Sequence, residues 1–204
     1  MNHPDFTRLR RRIDEAITLG DLESASDSAR EGLSLAEKKE CPGERMYFHA
    51  QLAVIGERYE EAILWLRKAL VFNPMDGAAY NDIALCRIEL GETDDALELF
   101  NKGIAVEPDY ATIHHNKGWF LSKLGRHEEA MESLRRALEI EPDRAVTYEN
   151  LANAFERLGL FDEALAAYRK ALVLIRRSSR RISRQIEEEV VRLERRKEKE
   201  NGNA

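Results

Sequence analysis

One spacing constrains this chain more than any other property: its residues recur every 34 positions. Pro74, Pro108 and Pro142 keep that step, and so do Ala62, Ala96, Ala130 and Ala164. Leu66, Phe100, Leu134 and Tyr168 form a third column, and Ala69, Gly103, Ala137 and Ala171 a fourth. Gly91, Gly125 and Gly159 follow, then Met46, Tyr80, His114 and Tyr148, then Ala50, Ala84, Gly118 and Ala152. Seven columns in one register are not chance, and a fixed period of this length is the signature of a repeat architecture.

Each unit reads as two helices. In the stretch GAAYNDIALCRIELGETDDALELFNKGIAVEP, apolar residues return at three- and four-residue spacing as far as Leu90. Gly91 ends this first helix (helix A), because glycine takes the left-handed conformation of a C-cap without strain. Thr93 or Asp94 is the expected cap of helix B, and Pro108 stops it. Ala84 and Ala96 fall where helices A and B cross, and only short side chains permit that approach. Gly103 is expected to do the same against the following helix A.

These residues resemble the tetratricopeptide repeat, whose signature places Leu-Gly, an aromatic, Ala, a large residue, Ala and Pro at set offsets over 34 residues. The best matches span 77–110, 111–144 and 145–178. The unit 43–76 is irregular, since Gly56 arrives one residue early relative to Tyr59 and Ala62. Residues 1–42 hold a degenerate hairpin, centred on Phe6 to Lys39. There Ala25 and Gly32 fit, Ala29 replaces the large residue, no proline follows, and Glu40 to Pro42 break the register. The segment 179–204 departs from the repeat. Its Ile182, Ile186, Val190 and Leu193 make one apolar stripe on a charged helix, suited to capping the last repeat; the alternative is a short coiled-coil seam. The resemblance implies an all-α, right-handed α-solenoid of stacked antiparallel helix pairs with a C-terminal capping helix.

Composition narrows the function. Residues 176–204 hold 10 Lys/Arg and 6 Asp/Glu, so the remaining 175 residues carry 22 against 32, a net of −10. An acidic body lacks the cationic surface that phosphate backbones require, so no nucleic acid is expected as a partner. The N-terminus has no apolar run of a secretory signal, and no segment approaches a membrane span. Cys41 and Cys86 are unclustered, which suits a reduced, cytoplasmic protein. No metal or cofactor is expected. His114 and His115 point about 100° apart on one helix, His127 lies beyond the turn, and no HExxH, GxSxG or phosphate loop occurs. The chain is not expected to be an enzyme. The Arg176 to Ser179 run offers a short phosphorylation motif.

The resemblance implies that A helices line a concave face through positions 2, 5, 6, 9 and 13 of each unit. Those positions supply Tyr47, Phe48 and Gln51; then Asn81, Asp82, Leu85 and Glu89; then His115, Asn116, Trp119 and Lys123; then Glu149, Asn150, Asn153 and Arg157. Asn116 and Asn150 share one register, and an amide both donates and accepts, so it can pair with an extended backbone whatever its sequence. Tyr47, Phe48 and Trp119 are aromatics of the kind that anchor partners. Some members of the family clamp a chaperone's C-terminal carboxylate, but here His115 and Trp119 stand where Lys and Asn belong. Arg180 and Arg184 with Asn150 make a looser expected anion site. The expected partner is thus a protein or peptide. A homo-oligomer through the N-terminal hairpin or the C-terminal helix is the rival reading, and a regulatory or targeting subunit of a separate enzyme a third. Lys117, in an otherwise apolar column, has no explanation in the sequence.

Overall fold

The structure is a computed structural model that describes residues 4–175 and 180–202; of residues 180, 181 and 200–202 it describes the backbone alone. The Arg176 to Ser179 run and the Arg180 side chain therefore lie outside the described residues. Eleven helices are present among the described residues, in the order α1 (Pro4–Leu19), α2 (Leu22–Lys38), α3 (Pro42–Ile55), α4 (Tyr59–Phe72), α5 (Gly77–Glu89), α6 (Thr93–Val106), α7 (Ala111–Lys123), α8 (His127–Ile140), α9 (Ala145–Arg157), α10 (Phe161–Ile175) and α11 (Arg180–Gly202). This is an all-α solenoid of paired helices with a terminal capping helix. The chain divides into two compact units, residues 1–108 and 109–204.

The turns inside the hairpins obey the 34-residue period more closely than the sequence suggests. Gly91, Gly125 and Gly159 have φ of 78°, 75° and 74°. The same place in the α3–α4 turn is held by Glu57, with φ 56°, while Gly56 stays at −88°. Backbone geometry thus keeps the step, and a non-glycine residue carries the strain there.

The B helices start differently from expectation. The N-cap of α6 is Glu92, without a side-chain capping bond, and Thr93 is already helical. Acidic pairs in the first turn stand in for caps: Glu60 and Glu61 in α4, Asp94 and Asp95 in α6, Glu128 and Glu129 in α8, Asp162 and Glu163 in α10. Their charge is favourable against the positive end of the helix dipole.

In the first unit each helix from α1 to α6 packs on the next. Ala84 and Ala96 are fully buried at the α5–α6 crossing, as their size predicts. In the second unit α7 to α11 pack in the same sequential way. Gly118 lies against α8 so closely that a Cβ there would stand 2.6 Å from Leu134 Cγ and 3.0 Å from the Ala130 carbonyl. The stripe on α11 is used inside the chain. Ile186 and Leu193 are buried with Phe155, Tyr168, Ala171 and Ile175, and Ile182 and Val190 pack beside them. Glu156 accepts from Arg192 at 2.9 and 2.7 Å and from Arg196 at 3.4 Å, which ties α11 to α9.

Candidate functional site: the inner faces of the A helices

The first unit turns most of its inner-face residues inward on itself. Arg10 of α1 donates to both Asp76 carboxylate oxygens, at 3.0 and 2.9 Å, and to Glu44 at 3.2 and 3.0 Å. Its guanidinium lies 3.6 Å from the centroid of the Tyr47 ring. Burial opposes the Arg10 charge, but Tyr47, Asp76 and Glu44 outweigh it and raise the pKa. Asp76 has a second task as N-cap of α5, accepting from the Ala79 N–H at 3.1 Å. Beside this network, Asp82 accepts from the Tyr47 hydroxyl at 3.1 Å, from Gln51 Nε2 at 2.5 Å and from Asn81 Nδ2 at 3.0 Å. Burial pushes the Asp82 carboxyl up to about 6, against the pull of those three donors.

This packing corrects the expectation for three residues. Tyr47 and Asn81 are each 2% exposed and are committed to Asp82 or Arg10. Phe48 is fully buried, and its ring lies so close to Gly32 of α2 that a Cβ there would overlap it. The ring also lies 6.0 Å from Phe6. The degenerate first hairpin is thin because its neighbour supplies the bulk. The sequence reading missed Arg10. Counted from Phe6 as position 1, it is position 5, the column of Tyr47, Asn81 and His115, and that count was the available signal.

The second unit arranges its inner face differently. His115 is buried, with Nδ1 2.9 Å from Thr147 Oγ1 and Nε2 3.5 Å from Asn150 Nδ2. Burial, reinforced by the Arg144 charge, lowers its pKa to about 3, so the imidazole is neutral. His115 is thus a buried support rather than the groove-facing residue the register predicts: it closes the space between α7 and α9 behind Asn150. In front lies a cleft of about 530 Å³, lined by Trp119, Ser122, Lys123 and Gly125, by His127, and by Asn150, Asn153 and Arg157. Five of the expected contact residues come together there: Trp119, Lys123, Asn150, Asn153 and Arg157. Asn116 is half-buried on α7 and does not line it.

The Tyr168 hydroxyl donates to Asn153 Oδ1 at 2.7 Å, which fixes the orientation of that amide. Lys117, unexplained by its column, lies near Glu129 and adds to the effect of Arg126 in holding that carboxyl below the usual range. Arg184 is exposed on α11, pairs with Glu188 at 3.3 Å, and is not part of the cleft lining. Of the looser anion site expected from Arg180, Arg184 and Asn150, Asn150 lines the cleft, Arg184 does not, and the Arg180 side chain lies outside the described residues.

Helical hairpins stacked in register, with a polar cleft built from their first helices, define a helical-repeat interaction module. Four family models match, described as TPR repeat or tetratricopeptide repeat, over residues 77–110, 99–132, 121–159 and 147–182. Together they run without a gap across more than half of the chain. The chain belongs to the tetratricopeptide-repeat family. No curated protein sequence matches it.

Solved structures share the fold. A TPR protein of Thermus thermophilus, TTC0263, is 21% identical with a TM-score of 0.69, covering 92% of this chain and 98% of that one. A crystal structure of MamA is 22% identical with a TM-score of 0.59, covering 84% and 92%. YrrB, described as a TPR protein with an unusual peptide-binding site, is 18% identical with a TM-score of 0.55, covering 79% and 82%. Among the described residues no helix is long and apolar enough to cross a membrane.

Proposed function

We propose that this chain is a non-catalytic adaptor or scaffold that holds an extended segment of a partner protein against the inner face of its second unit. The observation that carries the reading is the cleft between α7 and α9, where one large aromatic, two amides and two cations converge on a volume suited to a few side chains. Asn150 and Asn153 offer donors and acceptors to a backbone, and Trp119 offers an apolar anchor. Buried His115 and the Tyr168 hydroxyl hold the two amides in place before any partner arrives, which lowers the ordering cost of binding. That a protein of the same fold, YrrB, has a peptide-binding site gives the reading a precedent. The cytoplasm is the proposed place of action, consistent with two free cysteines, Cys41 and Cys86.

The rival, a homo-oligomer built through the C-terminal helix, has less support, because Ile186 and Leu193 are already buried within the chain. The test is an affinity capture with the parent and with a Trp119→Ala/Asn150→Ala variant, both residues of the cleft lining. Partners held by the parent and lost by the variant, at an unchanged melting temperature, are the expected result. Partners retained equally by both would overturn the groove reading.

A further inference from the structure

The second unit's cleft differs from its surroundings in charge. Its lining contains Lys123 and Arg157 and no Asp or Glu. Residues 1–175 carry 32 Asp/Glu against 22 Lys/Arg, so a carboxylate-free cleft runs against the composition around it. Among the described residues most arginines are matched to acids: Arg10 to Asp76, Arg126 to Glu129, Arg169 to Glu194, Arg192 to Glu156. Lys123 and Arg157 are both exposed, and neither makes an ion pair among the described residues. The nearest acid in sequence to Arg157 is its own neighbour Glu156, and that carboxylate is taken by Arg192 and Arg196. The edge between α7 and α8 is closed by His127, whose Nδ1 is buried without a hydrogen-bond partner among the described residues. Lys123 and Arg157 are also 34 residues apart, position 13 of consecutive units, so one extended ligand can meet both.

We propose that the cleft selects an acidic segment: a stretch of partner chain in which Asp or Glu residues flank an apolar side chain. The carboxylates pair with Lys123 and Arg157, the apolar group lies on Trp119, and Asn150 and Asn153 bind the backbone. The inference rests on the groove reading above and adds the chemical class of the occupant. Bulk electrostatics does not supply the preference, because the whole chain is net −6 and repels acidic peptides at long range. Selection has to come from the two local cations, through charge-assisted hydrogen bonds.

The test is a selection of random twelve-residue peptides, displayed on phage, against the full chain. Recovered peptides enriched in Asp and Glu around an aromatic or aliphatic residue are expected. Synthetic versions should weaken about tenfold against a Lys123→Gln/Arg157→Gln variant, the loss typical of charge-assisted bonds. Both side chains are exposed and unpaired, so the variant should melt with the parent. Raising the salt concentration must weaken the same peptides on the parent protein, a readout that needs no variant. Neutral peptides that bind the parent and are lost with Trp119→Ala/Asn150→Ala would overturn the acidic class and leave the groove reading standing. No enrichment, or acidic peptides indifferent to both salt and the charge variant, would overturn the inference. So would light scattering that shows a dimer dissolved by the charge variant, since the occupant would then be a second copy.

Discussion

Arg10 and Asp76, sixty-six residues apart in sequence, meet in a two-pronged ion pair at 3.0 and 2.9 Å that ties the first A helix of the chain to the N-cap of the third. The side chains are 14% and 6% exposed, so neither charge has water to fall back on. Lys123 and Arg157 occupy inner-face positions of the second unit and have no such partner among the described residues. In the first unit most inner-face polar groups are spent on stability. In the second several are left over for a ligand.

Removing Arg10 leaves the buried Asp76 and the half-buried Glu44 without the cation they share. Arg10→Ala is expected to cost about 3 kcal/mol, the loss typical of breaking a buried ion pair from one side. Arg10→Lys should recover only part of this, because an ammonium cannot reproduce the two-pronged geometry. Denaturant melts of the three proteins check both statements; an Arg10→Ala protein as stable as the parent would remove the network from the account.

His115 makes a pH prediction. Its folded pKa of about 3 lies below the ordinary 6.5, so the unfolded chain takes up a proton first as pH falls. The stability it contributes is complete above about pH 6.5 and drains away towards pH 3, reaching a loss of about 2 kcal/mol near pH 5. A His115→Gln variant lacks that titration. The parent should therefore lose stability relative to the variant on going from pH 7 to pH 5, and parallel pH profiles would show that His115 is not buried neutral.

Glu57 holds a left-handed backbone at the place where the other three regular hairpins use glycine. Glu57→Gly is expected to stabilise the chain by about 0.5–1 kcal/mol, relief of strain outweighing the added freedom of the unfolded state. Gly91→Ala, at the same step of the next unit, should destabilise by about 1 kcal/mol. Thermal melts moving in opposite directions are the expected outcome.

Ala130 is fully buried where α8 meets α7, beside Gly118. Ala130→Glu places a charge there and should cost roughly 3 kcal/mol or more. Gly118→Ala should also destabilise, because its Cβ would press on Leu134 and the Ala130 carbonyl. A melt unmoved by Ala130→Glu would count against the repeat alignment itself.

The repeat was legible because it is written in small residues. Ala62, Ala96, Ala130 and Ala164 are all fully buried, and such positions declare themselves at a fixed step. The cleft was half legible. Register tells which face of an A helix a residue occupies, so Trp119, Lys123, Asn150, Asn153 and Arg157 were found together. Register does not tell how deep the neighbouring helix sits. Phe48 lies in the core because Gly32 of α2 leaves room for its ring, and His115 because Thr147 stands 2.9 Å away on α9. Arg10 was hidden by the three-residue break at Glu40 to Pro42, which shifts the first hairpin out of the 34-residue count. Asp76 was readable as a cap but not as a partner of α1, since that contact exists only once three helices are stacked.

The inner face of the second unit, rather than its outer face, is the proposed seat of a partner segment. A photo-crosslinking amino acid placed at Asn153, in the cleft, and separately at Glu139, exposed on α8, tests this most directly. Adducts from position 153, mapping to one short segment of a partner chain, are expected, with few or none from position 139. Adducts confined to position 139, or adducts from position 153 that join two copies of this chain, would contradict it.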